Sequence, residues 1–247
     1  MVERTGGGDP LRVIPLLWRQ GVRTGRTGLT VDAIVARGIE LADDIGIANL
    51  SMRKLADRLG VGAMTLYAHL PGRAELIELM VDSALGEVDY PAVPSPADWR
   101  AALTTVADAN RRLLTRHRWL IDVDTSRPPL GPGTIAKYDA ELHTLVGTGL
   151  DDVEIDQALT LVLEHVRSST RQVFSAAAPE VGDGDWWDRA GPVLDGVLDA
   201  AAYPLASRVG QAAGETYGAA ADPERAYTFG LRTILDGIEA LIARKTE

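Results

Sequence analysis

The chain has 247 residues, 46% of them hydrophobic, enough to bury a real core in one large or two small domains. It contains no cysteine, which excludes disulfide frameworks, thiolate metal sites and thiol catalysis. A net charge of −10 argues at first against a nucleic-acid partner, but residues 1–73 carry 10 basic and 7 acidic side chains against 15 and 28 over residues 74–247. That asymmetry suits a small DNA-contacting head on an acidic body that phosphate repels. No run of 18 apolar residues occurs, and Ile14–Trp18 is too short and proline-interrupted for a signal-peptide core, so a cytoplasmic protein is expected.

Residues 1–28 are rich in Gly, Pro and Arg without periodicity, and are expected to form a disordered N-terminal arm. Arg12, Arg19, Arg23 and Arg26 lie along it, on either a solvated tail or an arm whose arginines enter the minor groove. Thr30 then caps a first amphipathic helix with Val31, Ile34, Val35, Ile39, Ala42 and Ile45 on one face. Ser51 caps a second, short helix carrying Leu55, Ala56 and Leu59. Gly60 comes next, where a left-handed corner is needed, and Leu66 and the Leu70–Pro71 stop define a third. This is helix-turn-helix spacing, with Thr65, Tyr67 and His69 left over to hydrogen-bond DNA; an ordinary αα-corner has similar spacing. Ile34, Leu41, Leu50, Leu55, Leu59 and Leu66 are the expected core of the head. A fourth helix from about Pro71–Arg73 to Val88, bearing Leu76, Ile77, Met80, Val81 and Leu85, is expected to be the only connection between head and body.

The proline-rich run from Tyr90 to Pro96 places a domain boundary near residue 90, giving a DNA-binding domain over 29–90 and a body over 91–247. The body reads as all helix, with no strand long enough to count. Ser95–Asp98 opens a helix reaching about Thr115, a short helix covers His117–Ile121, and Thr125–Gly133 is a loop. Further helices are predicted over 134–147, 152–177, 186–201, 203–213 and 223–244. Two are unusually apolar: Ile155, Ala158, Leu159, Val162, Val166, Ser169 and Val173 line one. Ala226, Phe229, Gly230, Thr233, Ile234, Gly237, Ile238, Leu241 and Ile242 line the other. Gly230 and Gly237 cost that helix about 1 kcal/mol each against alanine, which a close helix–helix approach would explain, within the chain or across a dimer.

The ordered block from Val31 to Leu76, with LSMRKLADRLGV followed by TLYAHLPGRAEL, resembles the TetR family of bacterial transcriptional repressors. The resemblance implies an all-α fold: a three-helix DNA-binding head with a helix-turn-helix, then a C-terminal helical bundle for ligand binding and dimerisation. It implies that Arg53 reads a guanine or a phosphate, that Ser51, Thr65, Tyr67 and His69 touch phosphate or base edges, and that Arg73 clamps the backbone. Gly62, Ala63 and Met64 depart from the tetracycline repressor itself, so the operator must differ; Ala63 or Met64 could touch a thymine methyl. The segment 229–239, FGLRTILDGIE, resembles the last helix of the family's four-helix dimer interface, which favours a homodimer.

Nothing points to catalysis. His69, His117, His143 and His165 fall in no metal-ligand spacing, and no nucleophile elbow, phosphate loop or dinucleotide fingerprint occurs. No catalytic residue, metal or cofactor is expected, and the magnesium–tetracycline chemistry is not implied. A mostly apolar effector pocket is implied in the body, with Trp119, Tyr138, His143, His165, Arg171, Trp186 and Trp187 as candidates by residue type. The expected protein is a dimeric repressor of a palindromic operator in double-stranded DNA, released by an apolar or amphipathic small molecule. The alternative is a helix-turn-helix regulator controlled by a protein partner.

Overall fold

The computed structural model describes residues 3–20, 28–90, 96–176 and 183–246. Arg23 and Arg26 lie outside them, as does most of the proline run. Two compact units are present: residues 1–163 with 240–247, and residues 164–239.

In the first unit, α2 (Val31–Ile45) starts at Thr30, whose hydroxyl accepts from the Ala33 N–H at 3.1 Å. It buries Val31, Ile34, Val35, Ile39, Leu41 and Ala42. Helix α3 (Met52–Leu59) is capped by Ser51, and α4 (Ala63–Tyr67) lies beyond the corner. Helix α5 (Arg73–Leu85) packs against α2, and Gly38 permits the approach: a Cβ there would lie 2.9 Å from Met80 Sδ. The head core is as expected, with Leu59 only partly covered.

Covered over most of its surface, α5 buries even Glu78 and Asp82. Buried carboxylates need donors. Asp82 accepts from the N–H groups of Gly133 (3.3 Å) and Thr134 (2.8 Å), at the N-terminus of α7 (Pro132–Leu142), where the helix dipole favours a negative charge. A Cβ at Gly131 would fall within 2.5 Å of the Asp82 carboxylate, so glycine is required there. Glu78 accepts from Gly6 N at 3.0 Å.

That last bond belongs to a segment whose composition predicts disorder. Residues 3–20 are folded instead. Glu3–Arg4 forms β1, which pairs in parallel with β2 (Val123–Asp124), Glu3 opposite Val123 and Arg4 opposite Asp124. Helix α1 (Pro10–Leu17) is capped by Asp9, has proline in its first turn, and buries Val13 and Leu17. Two apolar side chains one turn apart give it a face to bury, which outweighs its glycine-rich approach and Pro15.

Helix α6 (Trp99–Arg116) leads through a 3-10 turn at Arg118–Asp122 into β2. His117, buried at their junction, lies between two carboxylates: Nδ1 is 2.9 Å from Asp43 on α2 and Nε2 is 3.1 Å from Glu87 beyond α5. Together with β1, this contact means that α5 is not the only link between the head and the helices after residue 90. Farther along, the buried Glu141 Oε1 accepts from Tyr90 Oη, from Asn110 Nδ2 (2.6 Å) and from Lys137 Nζ (2.6 Å). Burial holds the Lys137 ammonium below its ordinary pKa and pushes the Tyr90 hydroxyl above its own.

Two long helices, α8 (Asp152–Ala176) and α11 (Pro223–Thr246), run through both units. The second unit also holds α9 (Asp183–Val197) and α10 (Pro204–Tyr217), which meet closely at Gly214, where a Cβ would lie 2.8 Å from Trp187 Cζ2. The same unit brings α8 and α11 together at Gly230: a Cβ there would lie 2.3 Å from His165 Cε1. Gly237 has open space around it.

Candidate nucleic-acid interface

The helix-turn-helix is set by hydrogen bonds that a short sequence can specify. Ser51 Oγ accepts from Lys54 N at 3.2 Å and fixes where α3 begins. At its end Gly60 adopts φ +68°, and the N–H groups of Gly60 and Val61 return to Asp57 O (3.2 Å) and Ala56 O (3.0 Å). Buried Ala56 and Leu66 hold α3 and α4 together. What remains outside is the candidate contact surface. Met64 is 79% exposed and Tyr67 46%, while Ala63, Thr65 and His69 are partly exposed.

Arg53 projects from the first turn of α3 into solvent. Its situation is unusual for this head. Arg4 pairs with Asp124, Arg12 with Asp9, Arg19 with Asp32, Arg37 with Glu40, Arg58 with Asp44 and Arg73 with Glu3. Among the described residues up to 73, Arg53 is the one arginine with no such partner. Its fork of donors is therefore free for a guanine edge or a phosphate.

Arg73, expected to clamp the DNA backbone, is engaged elsewhere. Its guanidinium donates to Leu50 O (2.8 Å), to Ile47 O (2.7 Å) and to the Glu3 carboxylate. Sequence reasoning misses Glu3 because the composition of the arm reads as unstructured. It misses the His117 bridge because Asp43, His117 and Glu87 are far apart in sequence and share no motif.

The seven residues proposed for an effector do not form one site. Trp119 is buried, with its indole N–H lacking a partner among the described residues. Tyr138 bonds to Asp156 at 2.7 Å and His143 donates to the carbonyl of Asp139, both at the surface. His165 stacks on Tyr227 and donates to its carbonyl at 2.9 Å. Trp186 is largely exposed, whereas Trp187 lines a groove of about 600 Å³ between α9 and α10. Arg171 lines a larger groove, about 1070 Å³, with Tyr217, Arg225, Phe229 and Arg232. Among the described residues no cluster of three potential metal ligands occurs, and no helix is long and apolar enough to cross a membrane.

A helix-turn-helix with a free arginine on its first helix, followed by a long helical region, defines a one-component DNA-binding regulator. Residues 27–80 match the bacterial regulatory proteins of the tetR family, and residues 91–242 match the tetracyclin repressor-like C-terminal domain. The chain belongs to the TetR family of transcriptional regulators, which are repressors rather than enzymes. The transcriptional repressor DrrR1 of Streptomyces coeruleorubidus is 35% identical over 250 residues, spanning 98% of this chain and 90% of that protein. The class A tetracycline repressor of transposon 1721 from Escherichia coli is 28% identical, spanning 90% and 96%. Apo ActR of Streptomyces coelicolor superposes with a TM-score of 0.74 at 29% identity, covering 87% of this chain and 97% of ActR. The ActR complex with actinorhodin gives 0.70 at 28%, covering 86% and 96%.

Proposed function

We propose that this repressor binds a palindromic operator in double-stranded DNA as a homodimer, in the cytoplasm, and that a small amphipathic molecule releases it. The free Arg53 guanidinium carries the DNA half of this reading, because every other described arginine of the head is already paired. Ser51, Ala63, Met64, Thr65, Tyr67 and His69 complete the proposed contact surface. Arg73 is left out of it, since three of its five donors, one on each nitrogen, are used internally. The exposed apolar side chains Val153 and Leu161 on α8, and Leu241 on α11, support a partner helix face on each. For the effector, the solved complex of ActR with actinorhodin is the guide, and the groove beside Arg171 has room for a molecule of drug size.

The test begins with selection of an operator from random-sequence DNA by the full-length protein. Two inverted half-sites with centres roughly 34–36 Å apart, or a little more, are expected. A single asymmetric site would overturn the dimeric reading. Actinorhodin is the first effector probe; a coupling of about 1–3 kcal/mol would weaken operator binding some 5- to 150-fold, and operator would weaken effector binding by the same factor.

A further inference from the structure

The segment upstream of the family match is built into the molecule on two sides. On one side, Thr5 extends the β1–β2 pairing, its N–H donating to Asp124 O at 3.0 Å and its hydroxyl to Arg127 O at 2.6 Å. The fit there is close: Gly6 sits at φ +69°, and a Cβ on it would lie 2.7 Å from Arg127 Cβ. The Gly6 and Gly8 N–H groups then hold Glu78, and α1 seats Val13 and Leu17 while Trp18 Nε1 donates to Leu130 O at 2.8 Å. On the other side Glu3 holds the Arg73 guanidinium, whose remaining nitrogens hold the Ile47 and Leu50 carbonyls. Leu50 immediately precedes Ser51, the cap that sets the start of α3.

We propose that Glu3 and Arg73 are positioning residues for the helix-turn-helix, and that residues 3–8 form a strap carrying displacements of β2 to the start of α3, alongside α5. Each link is short and directional. A guanidinium is a planar fork with fixed donor directions, so Arg73 cannot follow the Glu3 carboxylate without dragging on the two carbonyls it also holds. Glu3 in turn cannot move apart from β2, because the strand pairing ties its backbone opposite Val123. The strap therefore links the C-terminal family domain, which contains β2, to the DNA-reading helices. Contiguous contacts define a route, and coupling along it is a measurable quantity.

Amide hydrogen exchange on the full chain measures it without operator or effector. Glu3→Gln should speed exchange at Lys54 and Leu55 by about tenfold, the worth of one charge-assisted hydrogen bond, with little change in Tm. The cysteine-free chain also allows a lock beside Glu3, since Arg4 and Asp124 are register partners in the β1–β2 pairing. In the Arg4→Cys/Asp124→Cys variant, oxidation should slow exchange at residues 54–55 when Glu3 is present and leave it unchanged in the Glu3→Gln background. Equal slowing in both backgrounds, or changes confined to residues 3–20, would overturn the proposal.

Discussion

A guanidinium offers five N–H donors, and what it can do for DNA depends on how many are still free. Those of Arg53 all are. Replacing it with alanine should cost about 1–3 kcal/mol for each base pair read and relax the preference at one position per half-site. Equal losses on selected and random DNA would show that Arg53 touches only phosphate. Arg73→Ala should behave differently. It strips donors from the Ile47 and Leu50 carbonyls and leaves Glu3 without its partner, so stability to denaturant should fall by about 1–3 kcal/mol. The salt dependence of DNA binding should keep its slope, which a lost phosphate contact would flatten. From sequence the two arginines differ only in position, because nothing local reveals a carboxylate 70 residues upstream. A third residue gives a pH signature. The Tyr90 hydroxyl donates to buried Glu141, and burial raises its pKa. A raised pKa means that the folded state keeps its proton where the unfolded chain releases it, near the ordinary value of about 10. Its contribution is fully present below pH 10 and is lost as pH rises beyond. Tyr90→Phe should therefore be less stable by about 1 kcal/mol at neutral pH, with the gap closing above pH 10. A gap constant from pH 7 to 11 would contradict this.

Among the elements, the head is the most legible. Caps at Thr30 and Ser51, the glycine corner and the apolar spacing are local signals, and each local choice agrees with the packing. Helix α1 carries a similar signal, an Asp9 cap followed by Pro10, but its eight residues sit in a glycine-rich tract and its apolar face is only two side chains deep. Composition outweighs a cap there. The two-residue strands are illegible for another reason: β1 and β2 pair across about 120 residues, and so short a pairing has no period to detect. On α11 the apolar stripe is real but divides between a buried face and an exposed one. The face buried within the chain is Tyr227, Leu231, Leu235 and Ile238, while Phe229 remains 61% exposed. The two glycines divide in the same way. Gly230→Ala should destabilise the chain by about 1–3 kcal/mol, because its Cβ meets the His165 ring. A Cβ at Gly237 meets nothing within 4 Å, so Gly237→Leu should leave the subunit folded and, for the proposed dimer, shift the mass in light scattering from twice 26.4 kDa to once. An unchanged dimer would place the partner elsewhere.

Over the whole molecule, the positive balance of the head is small because most of its arginines are matched by carboxylates of the same head. Steering toward DNA then rests on few free charges, and specificity on contact rather than on bulk attraction. The placement of α5 bears on how the repressor would let go. Glu78 on this helix grips the turn before α1, and Asp82, one turn along, grips the first amides of α7. A helix held through two buried carboxylates by the backbone N–H groups of two separate segments cannot creep: a partial shift forfeits those hydrogen bonds before any replacement forms. Release should thus resemble a latch rather than a dial. At half-saturating effector, single repressors on operator DNA should show two dwell times, long and short, whose proportions change with dose while the times themselves stay fixed. One dwell time sliding continuously with dose would mean that α5 yields gradually, and that its buried carboxylates are not the catch.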